Sequence, residues 1–138
     1  MVASKGLIRS KTDIKEAITN LEGHSGLAAY ELIRPGDDGS MHLRVVLDEI
    51  EIDGEIEPHF HELSPVCDHA YYVISGDILV SVAGREKRVG ADTLIYCTTD
   101  VIHAIRNVGD CPAKLLRIGA AATGETGGRS VFIKGERR

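Results

Sequence analysis

Near the start of the chain, Ile14, Ala17, Ile18 and Leu21 recur at helical spacing, with Thr12 or Asp13 at the N-cap position and Gly23 placed to stop the turn. That pattern predicts one short amphipathic helix. From residue 27 onward the period changes. Short runs rich in Val, Ile, Leu and Tyr, at 27–33, 42–52, 70–74, 93–96, 102–105 and 114–118, are separated by turn sequences such as Pro35-Gly36-Asp37-Asp38-Gly39, Asp53-Gly54, Ser75-Gly76-Asp77 and Ala83-Gly84. Between the last two of these turns, Ile78, Val80 and Val82 alternate strictly with polar or outward positions. Strands this short and this frequent predict an all-β domain, an antiparallel sandwich or barrel, over any α/β scheme. Within 42–52 the apolar residues change phase, from Leu43, Val45 and Leu47 to Ile50 and Ile52, and a β-bulge near Asp48 would reconcile the two. Residues 123–128 read as a loop, 131–133 as an edge strand, and the last few residues as a frayed tail.

A chain of 138 residues suits one core rather than two. Its longest apolar run is five residues, Ala70 to Ile74, far below what a bilayer span or a signal-peptide core requires, so a soluble, cytoplasmic protein is expected. With 16 basic against 21 acidic side chains the net charge is -5, which gives a phosphate backbone little to bind, and nucleic acid is not an expected partner. Cys67, Cys97 and Cys111 are an odd number without a C-x-x-C pair and are read as reduced thiols. Gly23-His24-Ser25-Gly26 is one residue too short for a nucleophile elbow, and 124–128 lacks the Gly-Lys-Ser/Thr ending of a phosphate loop.

The histidines change this picture. Four of the six fall between residues 59 and 103, two of them in His59-Phe60-His61. Residues two apart on a strand share a face, so this triplet presents two imidazoles side by side as a bidentate metal clamp, and Pro58 biases the approach to extended geometry. His69 heads the run that continues through Tyr71 and Val73 on one face, and His103 heads another alternating stretch ending at Asn107. Neutral imidazoles converging from neighbouring strands suit Fe(II), Mn(II), Ni(II), Cu(II) or Zn(II), and the ligand set alone selects none of them. His24 and His42 have no partner at ligand spacing and are read as surface or loop residues. Tyr71 is expected to project inward beside His69, as pocket lining or as core.

These residues make the sequence resemble the cupin family. Gly54 leads into His59-Phe60-His61, and Gly76 closes the first family motif, with His69 ahead of it across six intervening residues, where the family usually carries Glu. His103 and Asn107 reproduce the end of the second motif, while Cys97 and Thr99 stand where its proline and glycine belong. The gap between His61 and His69 is longer than the family's, so Glu62, Cys67 or Asp68 compete with His69 for the fourth ligand position. The resemblance implies a double-stranded β-helix, or jelly roll, divided as an N-terminal extension with the short helix (1–26), a cupin barrel (27–122), and a C-terminal loop, edge strand and tail (123–138).

It further implies one divalent transition metal held by His59, His61, His69 and His103, with Tyr71 a candidate substrate contact. A homodimer is expected from the sheet edges such a domain exposes. Cupins with all-histidine sites resemble dioxygenases, and others are isomerases, lyases or decarboxylases of small oxygenated anions. An enzyme of one of those kinds is therefore expected, against the alternative of a non-catalytic ligand-binding or sensory cupin with a structural metal. Four neutral imidazoles leave the metal's +2 charge uncompensated, so the resemblance implies an anionic or enolisable small-molecule substrate despite the acidic exterior.

Overall fold

The computed structural model describes residues 6–40, 42–62, 67–121 and 130–133. Among these residues the chain forms nine strands: β1 (His24–Ile33), β2 (Leu43–His61), β3 (Cys67–Ser75), β4 (Ile78–Val82), β5 (Arg85–Val89), β6 (Thr93–Cys97), β7 (His103–Asn107), β8 (Ala113–Ala121) and β9 (Ser130–Phe132). All pairings between them are antiparallel. The strand order is β5-β4-β7-β2-β8-β3-β6, with β1 and β9 also pairing β2. The 19-residue β2 holds the two halves of a nearly closed barrel together, because its first half pairs β8 and its second half pairs β7. No helix among the described residues is long and apolar enough to cross a membrane.

The all-β jelly roll matches the expectation, but the short N-terminal helix is reduced to a 3-10 turn at Lys11–Asp13. The physical reason lies at Ile18, whose backbone forms both bonds of an isolated bridge with Ala29 of β1, 2.9 Å each way. Its amide is spent on the barrel wall, and Ile18 and Leu21 pack on the core from an extended segment. The loop expected at 123–128 lies outside the described residues, apart from which the last strand forms as β9.

Inward positions alternate along each strand and build one core, including Val46, Ile50, Ile56, Val73, Ile105 and Leu115. Ala83 and Gly84, both at positive φ, make the two-residue turn between β4 and β5. The bulge expected near Asp48 is absent from β2. Residues from Leu43 to Ile50 pair β8 in unbroken register, and the β1–β2 ladder shifts between Glu31 and Ile33, beside Val46 and Val45, and again between Ser25 and Leu27, where Asp53 takes a φ of 62°. Asp48 instead stays in phase with Val46 and Ile50 and points inward, fully buried, while Val45 and Leu47 form part of an outer apolar layer against Ile118 and Leu116.

The motif residues Gly54, Gly76 and Asn107 serve this architecture. A Cβ on Gly54 would meet Gly26 O and Ile50 Cγ2 at 2.8 Å, and one on Gly76 would meet Ala113 Cβ at 2.6 Å. Asn107, 1% exposed, donates through Nδ2 to the carbonyls of Ile50, Glu51 and Cys111 and accepts from Gly109 N. These bonds tie β7 to β2 and to the turn before β8.

Candidate metal centre

The cross-strand register sets the site. His59 near the end of β2 stands directly opposite His103 at the start of β7, and His61 shares the His59 face two residues on. All three are buried, at 2%, 7% and 1% exposure for His59, His61 and His103. Among the described residues, these three imidazoles are the group whose ligand atoms all lie within 4.8 Å of one another, and they can hold a metal ion.

Each ring is oriented from outside the cluster. His59 Nδ1 donates to Glu57 O at 2.8 Å and His103 Nδ1 donates to Val101 O at 2.9 Å. His61 Nδ1 lies 3.3 Å from Ser130 Oγ of β9. For His59 and His103 the proton is therefore fixed on Nδ1 and the lone pair sits on Nε2, the tautomer a metal-binding imidazole needs. Burial, reinforced by the neighbouring His103 and His61 rings, lowers His59 to about 3, and burial also lowers His103. His59 and His103 are thus held in the neutral form that a cation requires.

His69 sits at the mouth of the barrel on β3, opposite Cys97 of β6 and Gly119 of β8. Its ring stacks on His61 at 4.0 Å between centroids and 9° between planes, beside the three-histidine group rather than within it. Of its competitors, Asp68 is exposed and accepts a hydrogen bond from the Tyr96 hydroxyl on the outer face, and Glu62 is exposed. The Cys67 side chain lies outside the described residues. Tyr71 is buried and inward as expected, its hydroxyl 3.5 Å from His103 Nε2. Burial raises its phenol well above the usual range.

Four further side chains, three beside the histidines and one deeper in the barrel, lie where no sequence signal places them. His24 is expected at the surface or in a loop, yet β1 carries it opposite Ile56, with its ring 6.4 Å from that of His59 and 6.1 Å from Phe132. Its Nδ1 donates to Glu22 O at 2.7 Å, the same i−2 carbonyl contact that His59 and His103 make. Ser130 and Phe132 arrive on β9, with the Phe132 ring 5.0 Å from His59. Arg117 of β8 points inward, its Nε and Nη2 donating to Asp48 at 2.9 and 3.0 Å. No spacing rule links these residues to His59, and only the strand register brings them there. His42 is exposed, as expected.

A pH dependence follows from the buried rings. His24, His59 and His103 are all held below 6.5 by burial, so the unfolded chain binds more protons than the folded one and stability rises with pH. For His59 the loss begins as pH falls through about 6.5 and is complete near about 3. Carboxylates titrate lower, so the metal-free protein is expected to lose melting temperature already between about pH 6.5 and about pH 4.5. A flat melting temperature over that interval would mean that these rings are hydrated.

Comparisons with known proteins agree with this fold. The family model for the cupin domain matches residues 46–119. The tetracenomycin polyketide synthase protein TcmJ of Streptomyces glaucescens is 33% identical over 61 residues, 44% of this chain and 39% of its own length, so the matched stretch spans well under half of that relative. The polyketide cyclase RemF of Streptomyces resistomycificus superposes with a TM-score of 0.74 at 22% identity, covering 95% of this chain and 89% of that one. A predicted oxalate decarboxylase of Thermotoga maritima gives 0.72 at 17% identity, covering 83% and 99%. At these identities the structural likenesses establish the fold.

Proposed function

This chain belongs to the cupin family, and from that premise we propose that it is a metal-dependent enzyme acting on a small, enolisable oxygenated anion by lyase, isomerase or cyclase chemistry. The observation that carries the reading is the convergence of His59, His61 and His103 as buried imidazoles, two of them with Nδ1 committed to a carbonyl. His69 is assigned as the fourth ligand from its place beside His61. A metal bound there supplies Lewis acidity toward a carbonyl or enolate oxygen. The protein's own share is to keep the donors neutral, to exclude bulk water with Phe132 and the barrel wall, and to present Tyr71 and His24 as groups that donate or accept hydrogen bonds beside the cluster. The polyketide proteins among the similar chains handle poly-carbonyl compounds by name, which favours enolisation over the dioxygenase chemistry that the all-histidine site also suggests.

Proton NMR of a β-diketone or β-keto acid in D2O tests this. Metal-loaded protein is expected to accelerate deuterium exchange at the acidic carbon by at least about tenfold over metal-free protein. Oxygen uptake with diketones or catechols in place of exchange would make it a dioxygenase. Metal retention with neither activity would favour the ligand-binding or sensory reading.

A further inference from the structure

The inside of this barrel carries a charge pair that the metal cluster does not use. Asp48, at 0% side-chain exposure, takes two hydrogen bonds from Arg117, whose side chain is 21% exposed. Arg117 stands directly opposite Tyr71 across the β3–β8 ladder. One inward step toward the mouth, Gly119 stands opposite His69. Gly119 contributes no side chain at that step of β8, and Tyr71 spans from the level of Arg117 to the histidines, its hydroxyl 3.5 Å from His103 Nε2. Glu31 also faces this region, but its carboxylate pairs with Arg44 at 2.9 Å.

A guanidinium has five N–H donors. Asp48 takes the Nε–H and one from Nη2, and among the described residues Arg117 makes no other hydrogen bond. The remaining edge, both Nη1 protons and one on Nη2, keeps the fork geometry that matches a carboxylate. Packing gives no reason for the pair, since aliphatic residues of similar volume fill barrel interiors at equal or lower cost than two buried charges. Its geometry does give one: Asp48 clamps the guanidinium so that its open edge is fixed before any ligand arrives.

We propose that Arg117 is the anion subsite of the barrel, taking a carboxylate or enolate oxygen of a substrate whose other oxygen-bearing group reaches the metal. The substrate class is then a small molecule with two such groups, a dicarboxylate, a β-keto acid or the anion of a diketone. This assignment rests on the metal-enzyme reading above, and the test separates the two.

The probes are malonate, with two carboxylates, and acetate, with one, titrated into cobalt-loaded protein and followed by the cobalt visible bands. Wild type is expected to bind malonate at least about tenfold more tightly than acetate. The double variant Asp48→Leu/Arg117→Met, which leaves no lone buried charge, should lose that preference while acetate affinity stays within about twofold and cobalt content is unchanged. Asp48→Asn keeps an acceptor for Arg117 but no longer neutralises it, so malonate affinity should hold or rise. Equal affinity of wild type for the two anions, an equal loss for both in the double variant, or a malonate loss in Asp48→Asn would overturn the proposal. If wild type holds no cobalt, the metal reading fails. Calorimetry on the metal-free chain then decides the subsite by itself: Arg117-dependent malonate binding supports it, and no binding refutes it.

Discussion

Replacing His103 with alanine is expected to strip the protein of metal, lowering affinity by at least about 100-fold and leaving less than a tenth of an ion per chain after dialysis. The reason is positional. His59 and His61 come from one strand, and His103 is the donor contributed by the facing strand. Without it, two imidazoles from a single β2 segment remain, a chelate that divalent metals leave readily. Substituting His69 should cost less, about tenfold, because His69 stacks beside the three-histidine group. The check is elemental analysis of both variants alongside their circular dichroism spectra, which should keep the β signature. Equal metal loss in the two variants would make His69 a ligand of the same rank. No change on losing His69 would remove it from the ligand set.

The largest expected effect on folding comes from Asp48→Ala. Arg117 would be left inside the barrel with no carboxylate, and breaking a buried pair from one side costs about 3–5 kcal/mol. For a chain of this size that corresponds to a fall in melting temperature of roughly 10–15 °C. Asp48→Leu/Arg117→Met removes both charges and should recover most of the loss, whereas two independent surface contacts would add. Denaturant unfolding of the three proteins gives the comparison directly. A cost below about 1 kcal/mol for Asp48→Ala would show that water reaches the guanidinium freely.

Much of this molecule is readable along the chain, because period-two alternation and turn residues are local signals. The strands from Ala70, Ile78 and His103, the Ala83-Gly84 turn and the metal-clamp triplet all come from neighbours in sequence. What escapes is what depends on register between distant strands. Asp48 breaks the apolar alternation and suggests a bulge, yet it is an inward charge whose partner lies 69 residues away. Arg117 hides in an apolar run for the same reason. His24 lacks a histidine at ligand spacing, and only the β1–β2 pairing carries it to His59. The N-terminal periodicity suggests a helix, but one backbone bridge from Ile18 to Ala29 outweighs a helix too short to stand alone.

Three buried imidazoles, two of them fixed as neutral donors by Nδ1–carbonyl bonds, are proposed to hold a metal ion, and this is what most needs testing. It is tested most directly by the metal content of wild-type protein purified without chelator, measured by inductively coupled plasma mass spectrometry. About one divalent transition metal per chain is expected, lost on His103→Ala. A metal-free wild-type protein that also fails to take up cobalt or zinc on addition would contradict it.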